Sequence, residues 1–452
     1  MTLRARLAPY LDVFRLVWPL ALGMVNNAVM QFVDRAYLAH ESMASLEAAL
    51  PASILAFNVL GFFQSVVAYS GTFVAQYHGA GDGRMCRACL RVGILLSVAF
   101  GVVALLFIPV GTWLFRMLAA APQVLSREVS YYGIVVAGGV FLFLHMAVSS
   151  YFTGRGRTRI VFWVNVLGNL FNAALDPFLI FGLCGFPRLG IAGAAYATVA
   201  STALQWIALS VAARDGSAAG DGVAGLLPLA RRILRFGVPS GAYTVLNMLS
   251  FTIFVFVTGR AGDVAFAVSN ACFSVNYMLF APMEGFALGA ATLVGQAQGR
   301  GDSDAAHRDA MRTLALGVGF VAILSALAVA FYRPILSLFA TDPATQGEFL
   351  SLGFVLFVIM AAWQVFDAAD VIMSGALKGA GDTKFVLCWM LVVAFGFWLP
   401  LVWVVAELHN TMPALWATMV AYVIVICAGT LIRWRRGRWR SIALVPSAGQ
   451  AA

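Results

Sequence analysis

The sequence predicts an all-α polytopic membrane protein: twelve transmembrane helices in two pseudo-symmetric six-helix bundles, arranged as parallel repeats. Three observations carry that expectation: an extreme composition, a regular series of long apolar runs, and one glycine-rich turn written twice. Hydrophobic residues fill 62% of the 452 positions and charged residues 11%, with a mean hydropathy of +0.88. A soluble domain is about one quarter charged. A soluble globular protein is therefore excluded.

The apolar runs come next. Twelve recur, at 13–34, 47–74, 92–115, 131–153, 160–182, 190–213, 234–258, 264–294, 313–333, 349–375, 385–406 and 413–433. Each is long enough to cross a bilayer core as a helix, which takes about 20 residues. The first run holds Asn26, Asn27 and Asp34. It is too long and too polar for a cleaved signal peptide and is expected to be retained.

A net charge of +9 would suit nucleic acid if the basic residues formed a patch, but they alternate. Of 29 Lys and Arg, 23 lie in the N-terminal segment, in alternate loops or in the RWRRGRWR tail. Only Arg35, Arg116, Arg127, Arg188, Arg260 and Arg333 fall on the other side. The positive-inside rule then expects both termini in the cytoplasm of a cell whose plasma (inner) membrane holds the chain, which requires an even number of spans. Twelve satisfies it.

The repeat is visible in single residues. VAQYHGAGD at 74–82 returns as VGQAQGRGD at 294–302, and Pro19, Asn27 and Thr72 find Pro239, Asn247 and Thr292 at the same offset. GRGRTR at 154–159 resembles GAGDTK at 379–384. The expected organisation is an N-terminal lobe at 1–213, a polar linker at 214–229, a C-terminal lobe at 230–440 and a tail at 441–452. Six spans per half make the repeats parallel. In such transporters substrate binds between the repeats near the midplane.

The repeated turn reads as architecture. No GxxxxGK[ST] run accompanies it, so nucleotide binding is not expected. Gly79 and Gly299 are expected to end their helices in a left-handed cap, and Asp82 and Asp302 to cap the helices that follow. The six Cys are scattered and suggest no disulfide framework. Cys86 and Cys89 form a CxxC without a second pair, which reads as two helical thiols rather than zinc ligands.

Polar residues inside the runs carry the functional argument, because an ionisable side chain at the bilayer centre costs roughly 2.5–3.5 kcal/mol on insertion scales. In the fifth run, Asn165, Asn169, Asn172 and Asp176 follow at spacings of 4, 3 and 4. Turning 100° per residue, they share an arc of about 60° on one helix face. In the first run, Asn27, Gln31 and Asp34 form a second stripe. Both helices run outward, so Asp34 and Asp176 are expected in the outer half, able to face one another. Pro177 is a point of weakness beside its acid. The Asn residues by themselves also suit interhelical glue.

The two halves differ here. Phe254 stands at the repeat position of Asp34, and the eleventh run holds no Asn or Asp. A stripe with a purely architectural role should recur in both halves. The second half has other acids, Glu284 in the eighth run and Asp367 and Asp370 in the tenth. They suit either a cavity lining or pairing with a neighbour. His145 in the fourth run suits a proton relay or a hydrogen-bonded core histidine.

Taken together, PLALGMVNNAVMQFVDRAYLA, the two turn copies, NLFNAALDPFLIFG with GIAGAAYATVAS, and SGALKGAGDT resemble the multidrug and toxic compound extrusion (MATE) transporters, relatives of the lipid-linked-sugar flippases. The resemblance spans nearly the whole chain. It implies two six-helix lobes around a central cavity, and antiport of organic, often cationic, compounds against H⁺ or Na⁺. The family's N-lobe ion-site acids fall on Asp34 and Asp176, with Asn172 one turn before the latter and Thr198 in GAAYATV as a further carry-over. The helix-10 acid of one branch falls on Asp367. That branch's helix-7 Glu has no counterpart here, and Asp370 stands where it often has Gln.

The resulting expectation is a secondary antiporter for multidrug efflux, not an enzyme. Its cation or proton site is Asp34, Asn169, Asn172, Asp176 and Thr198, with Na⁺ as a transient alternative to H⁺ at the two acids. The substrate cavity is expected at Asn27, Gln31, Asn165, Glu284, Asp367 and Asp370. No cofactor, structural metal, nucleotide or nucleic acid is expected, and the working unit is expected to be a monomer in the lipid bilayer. The nearest rival is a flippase for a lipid-linked saccharide, which would want basic residues in mid-helix for a pyrophosphate. An intramembrane enzyme would want a reactive constellation such as HExxH, which is missing. The major facilitator fold would want a basic loop signature after the second span, also missing.

Overall fold

The computed structural model describes residues 3–117, 121–214, 226–340, 345–442 and 444–445. Most of the expected linker lies outside these residues, as does all of the tail beyond Val445. Among the described residues, twelve helical spans follow the apolar runs in order, with one bent pair taken as a single span. They are α1 (Ala8–Glu41), α2 (Met43–Gly79), α3 (Gly83–Met117), α4 (Pro122–Gly154), α5 (Thr158–Phe181) and α6 (Ile191–Ala212). The second set is α7 (Leu226–Ala261), α8 (Asp263–Gly299), α9 (Ser303–Ala330), α10 (Gln346–Gly379), α11 (Thr383–Leu408) and α12 (Met412–Arg435). Eleven are continuous enough to span singly, and α4 is two helices bent by 40° at Gly138. At about 1.5 Å per residue, all reach across roughly 30 Å of hydrocarbon.

Four basic-side connections share one geometry. Gly81, Gly156, Gly301 and Gly381 all have positive φ, between 76° and 96°. In the first, Asp82 N–H bonds the Tyr77 carbonyl (2.9 Å) and Gly81 N–H bonds that of His78 (3.1 Å). Arg157 to Phe152 (2.9 Å), Asp302 to Ala297 (3.0 Å) and Asp382 to Leu377 (2.9 Å) repeat the outer bond. This paired pattern is the Schellman motif, which satisfies two orphan carbonyls at a helix end. The left-handed residue is thus Gly81 or Gly301, not Gly79 or Gly299 as the sequence suggested. The helices do end at Gly79 and Gly299, and the left-handed residue follows two positions later. Asp82 and Asp302 do cap the next helix, accepting from Met85 N–H (2.9 Å) and Ala305 N–H (2.7 Å). Cys86 and Cys89 are buried in α3, where Cys86 Sγ donates to the Val74 carbonyl (3.5 Å).

The chain forms two compact units, Val25–Val245 and Met1–Met24 with Leu246–Ala452. Their limits fall inside α1 and α7 rather than in the linker. The early part of α1 packs on α8, where Gly285 leaves room for the backbone of Ala21. The early part of α7 packs on α2, with the Ser65 and Thr244 hydroxyls 3.0 Å apart.

Each unit has its own apolar core. In Val25–Val245 it gathers around Phe63, which meets Phe100 and Phe143 with centroids 5.0 and 6.0 Å away. In the other, a file of aromatics runs Phe273–Trp416–Trp363, with centroid spacings of 4.7 and 4.8 Å. Trp416 Nε1–H donates to the Ser269 hydroxyl (2.9 Å), which keeps a buried indole satisfied. In α11 a π-turn spans Ala394–Trp398, just ahead of Pro400. The i→i+5 bond from Leu399 N–H to the Ala394 carbonyl closes it.

Candidate functional site

The first unit brings two of the predicted acids together. Asp34, late in α1, and Asp176, late in α5, place their carboxyl groups within hydrogen-bonding reach of each other. Asp176 is fully buried. Both of its oxygens, and Oδ1 of Asp34, are sealed from solvent and accept no hydrogen bond from protein donors. A buried carboxylate left unpaired costs several kcal/mol. Two facing carboxylates also repel each other, so a shared proton or a bound cation between them removes both penalties. Arg35 and Tyr131 stand near the pair, and Tyr131 is also tied to Ser53.

The asparagine stripe is divided among different tasks. Asn169 is the hub: its Nδ2 donates to Asn27 Oδ1 (3.0 Å), and its Oδ1 accepts from Gln205 Nε2 (3.2 Å). Gln205 reaches it because α6 crosses α5 at Gly168, where any Cβ would collide with the Gln205 amide. Asn165 Oδ1 meets His145 Nε2 at 3.0 Å, so the buried histidine is a hydrogen-bonded partner of α5. Asn172 is buried and its Nδ2 has no partner, one turn before Asp176. The Thr198 hydroxyl donates to the Ala194 carbonyl of its own helix (2.9 Å). Asn27 and Gln31 are exposed on α1.

The second unit also collects acids. Asp370 is buried in α10 and accepts from the Thr430 hydroxyl of α12 (2.9 Å). Asp367, one turn earlier and half-buried, has no such bond among the described residues. Glu284 of α8 is exposed, with Lys378 near both it and Asp370. In the same group, Gln364 is fully buried and donates to Asn276 Oδ1 (2.5 Å), while its Oε1 has no partner.

Several of these residues escaped sequence reading. Gln205, Tyr131, Gln364, Asn276 and Thr430 stand singly among apolar neighbours, with no stripe to mark them. A buried amide in a membrane helix is the signal that would have found Gln205 and Gln364.

Comparison with known proteins fits this geometry. The MatE family model matches residues 19–178 and again 239–404. The two matches begin 220 residues apart, the offset of the internal repeat. A protein of Rhodopseudomonas palustris described as "Probable multidrug resistance protein NorM" is 28% identical over 430 residues, covering 93% of this chain and 90% of its own. A NorM protein of Thermotoga maritima is 26% identical over 442 residues, covering 94% and 93%. Among solved structures, one described as the outward-facing conformation of a multidrug resistance MATE family transporter of the MOP superfamily superposes with a TM-score of 0.84 at 18% identity, covering 96% and 97%. A MATE structure in the straight conformation gives 0.84 at 19% identity with the same coverage. The doubled family match and full-length relatives place a pair of orphaned acids within a known architecture: this chain belongs to the MatE family of membrane transporters and is not an enzyme.

Proposed function

We propose that the protein exports amphipathic, often cationic, organic compounds across a bacterial plasma membrane, in exchange for H⁺ or Na⁺ bound at Asp34 and Asp176. The observation that carries this is the pair of facing carboxyls whose buried oxygens lack protein donors. Such a site is costly while empty and ionised, and it is relieved by one small cation. Asn172 stands beside it with an unused amide, able to orient a proton or to turn its oxygen toward Na⁺. Asn169 and Thr198 are second to these, since their groups already bond within the unit.

Coupling requires only that the cation and the substrate prefer different conformations. Substrate contact is assigned to Asn27, Gln31 and Asn165 in one unit and to Glu284, Asp367 and Asp370 in the other. The acids suit organic cations, because Lys378, the cation beside them among the described residues, is flanked by Glu284 and Asp370. That arrangement does not suit a pyrophosphate. The relatives named for multidrug resistance support the same reading.

The test is dye efflux from everted vesicles with a pH gradient and a Na⁺ gradient imposed separately. One gradient should drive uphill export and the other should not. Export indifferent to both would refute ion-coupled antiport.

A further inference from the structure

The C-terminal segment beyond α12 is docked onto its own unit. Gly437, with φ of 69°, turns the chain back, and a short 3-10 turn spans Arg438–Ser441. Trp439 is fully buried and lies flat on Trp434, with centroids 4.1 Å apart and planes 7° apart. Its indole N–H donates to the Trp434 carbonyl (2.9 Å), and its own carbonyl accepts from Gln298 Nε2 at the end of α8 (3.1 Å). Leu444 and Val445 are buried in turn. Ile442 and Leu444 close over Gly381, where a Cβ would come within 2.9 and 3.0 Å of them. Arg440 pairs with Asp304 at the start of α9 (3.0 Å). The segment thus straps the α8–α9 and α10–α11 turns to the end of α12.

One bond beneath this strap, from α12 to α9, depends on a proton. Trp434 Nε1–H donates to His307 Nδ1 at 3.0 Å, and the two rings are nearly parallel, at 15°. An indole nitrogen can only donate. His307 Nδ1 must therefore be an unprotonated acceptor whenever this bond exists, which fixes the neutral ring as its Nε2–H tautomer. A proton on Nδ1 would set two N–H groups against each other beneath the stacked Trp434–Trp439 pair.

We infer that His307 is a proton-operated catch for the C-terminal strap: neutral, it holds Trp434 and the strap closed; protonated, it releases them. Histidine is the side chain suited to this, since its charge changes within physiological pH. The other charged groups on the elements packed against it are largely engaged with each other. They are Asp304 with Arg440, Asp302 with Arg308, Asp309 with Arg312, and Asp382 with Arg433, which Arg433 grips through two nitrogens at 2.7 and 3.2 Å. Arg435, Arg436 and Arg438 are exposed.

The experiment is hydrogen–deuterium exchange on the full chain in nanodiscs, corrected for intrinsic rates, at about pH 7.5 and about pH 5.5, either side of the range in which imidazoles titrate. The amides of Arg440 and Ile442, bonded to Gly437 and Trp439 carbonyls, should lose protection about tenfold at the lower pH, the equivalent of one hydrogen bond. His307→Gln keeps an acceptor that cannot be protonated there, and should hold the strap protected at both pH values. His307→Phe, with no acceptor, should leave it unprotected at both. Amides of α8 followed in the same run separate strap release from general unfolding: only release leaves them unchanged. Equal protection of the wild-type strap at both pH values, or an unaltered pH response in His307→Gln, would overturn the inference.

Discussion

Phe254 and Trp398 pack against each other in one unit, ring centroids 5.2 Å apart and planes tilted by 36°, where the other unit sets Asp34 against Asp176. Phe254 holds the repeat position of Asp34, and Trp398 stands shortly before Pro400 as Asp176 stands before Pro177. Trp398 also lies over Tyr422 at 4.5 Å and donates to Thr418 (3.3 Å). One unit thus packs two carboxyls near this point of the repeat, and the other packs an aromatic core.

The acid pair should fail as a unit. Asp176→Asn is expected to abolish gradient-driven export while leaving equilibrium substrate binding within a few-fold of wild type, and Asp34→Asn likewise. The double variant should be hardly worse than either single one, since groups sharing one interaction are not additive. Transport and binding assays on the same preparations decide this. Robust uphill export by Asp176→Asn would sink the assignment.

At the aromatic counterpart the loss should be one of stability. Trp398→Ala removes a fully buried indole and should cost about 3–5 kcal/mol. Phe254→Asp places an unpaired carboxylate in that core and should lower folded yield more severely still. Thermal melts of purified protein report both. A stable Phe254→Asp variant with altered ion dependence would show that the second unit retains a latent site.

For the repeated turns, Asp82→Ala and Asp302→Ala each delete an N-cap and should cost about 1 kcal/mol. Gly81→Ala puts a Cβ at positive φ and should cost about 1–2 kcal/mol. Neither change should move substrate affinity. Lost binding at unchanged stability would show the turn to be a ligand site.

Asp367 and Asp370 should separate. Asp370 is anchored by Thr430, so Thr430→Val should destabilise by roughly 1–3 kcal/mol, leaving a buried acid short of a donor. Asp367→Asn should weaken cationic substrates more than neutral ones, because a carboxylate in low dielectric attracts a cation strongly. Binding titrations with a matched cationic and neutral pair test this. Equal weakening of both would assign Asp367 to structure or coupling.

Topology follows from the basic asymmetry. In a background lacking the exposed Cys184 and Cys388, a cysteine at exposed Arg438 should resist an impermeant maleimide added outside intact cells. It should react once the cells are opened. Ready labelling from outside would reverse the orientation.

The sequence by itself determined what local periodicity and composition can encode. Apolar run length marked the spans, the 220-residue offset exposed the repeat, and the 4-3-4 spacing put Asn165, Asn169, Asn172 and Asp176 on one face. These are properties of single helices, governed by a 3.6-residue turn and a bilayer of known thickness. Tertiary structure decided everything that depends on a neighbouring helix. It left Asn172 Nδ2 unused and set Asp176 against Asp34 without another donor, while Asn169 is held by Asn27 and Gln205. It moved the reversing glycine from Gly79 to Gly81, because the last helical turn ends where backbone bonds close. It exchanged the early parts of α1 and α7 between the two compact units. It also laid Trp439 on Trp434 above His307, a contact spanning more than a hundred residues. Side chains that far apart in the chain leave no periodic trace; only packing brings them together.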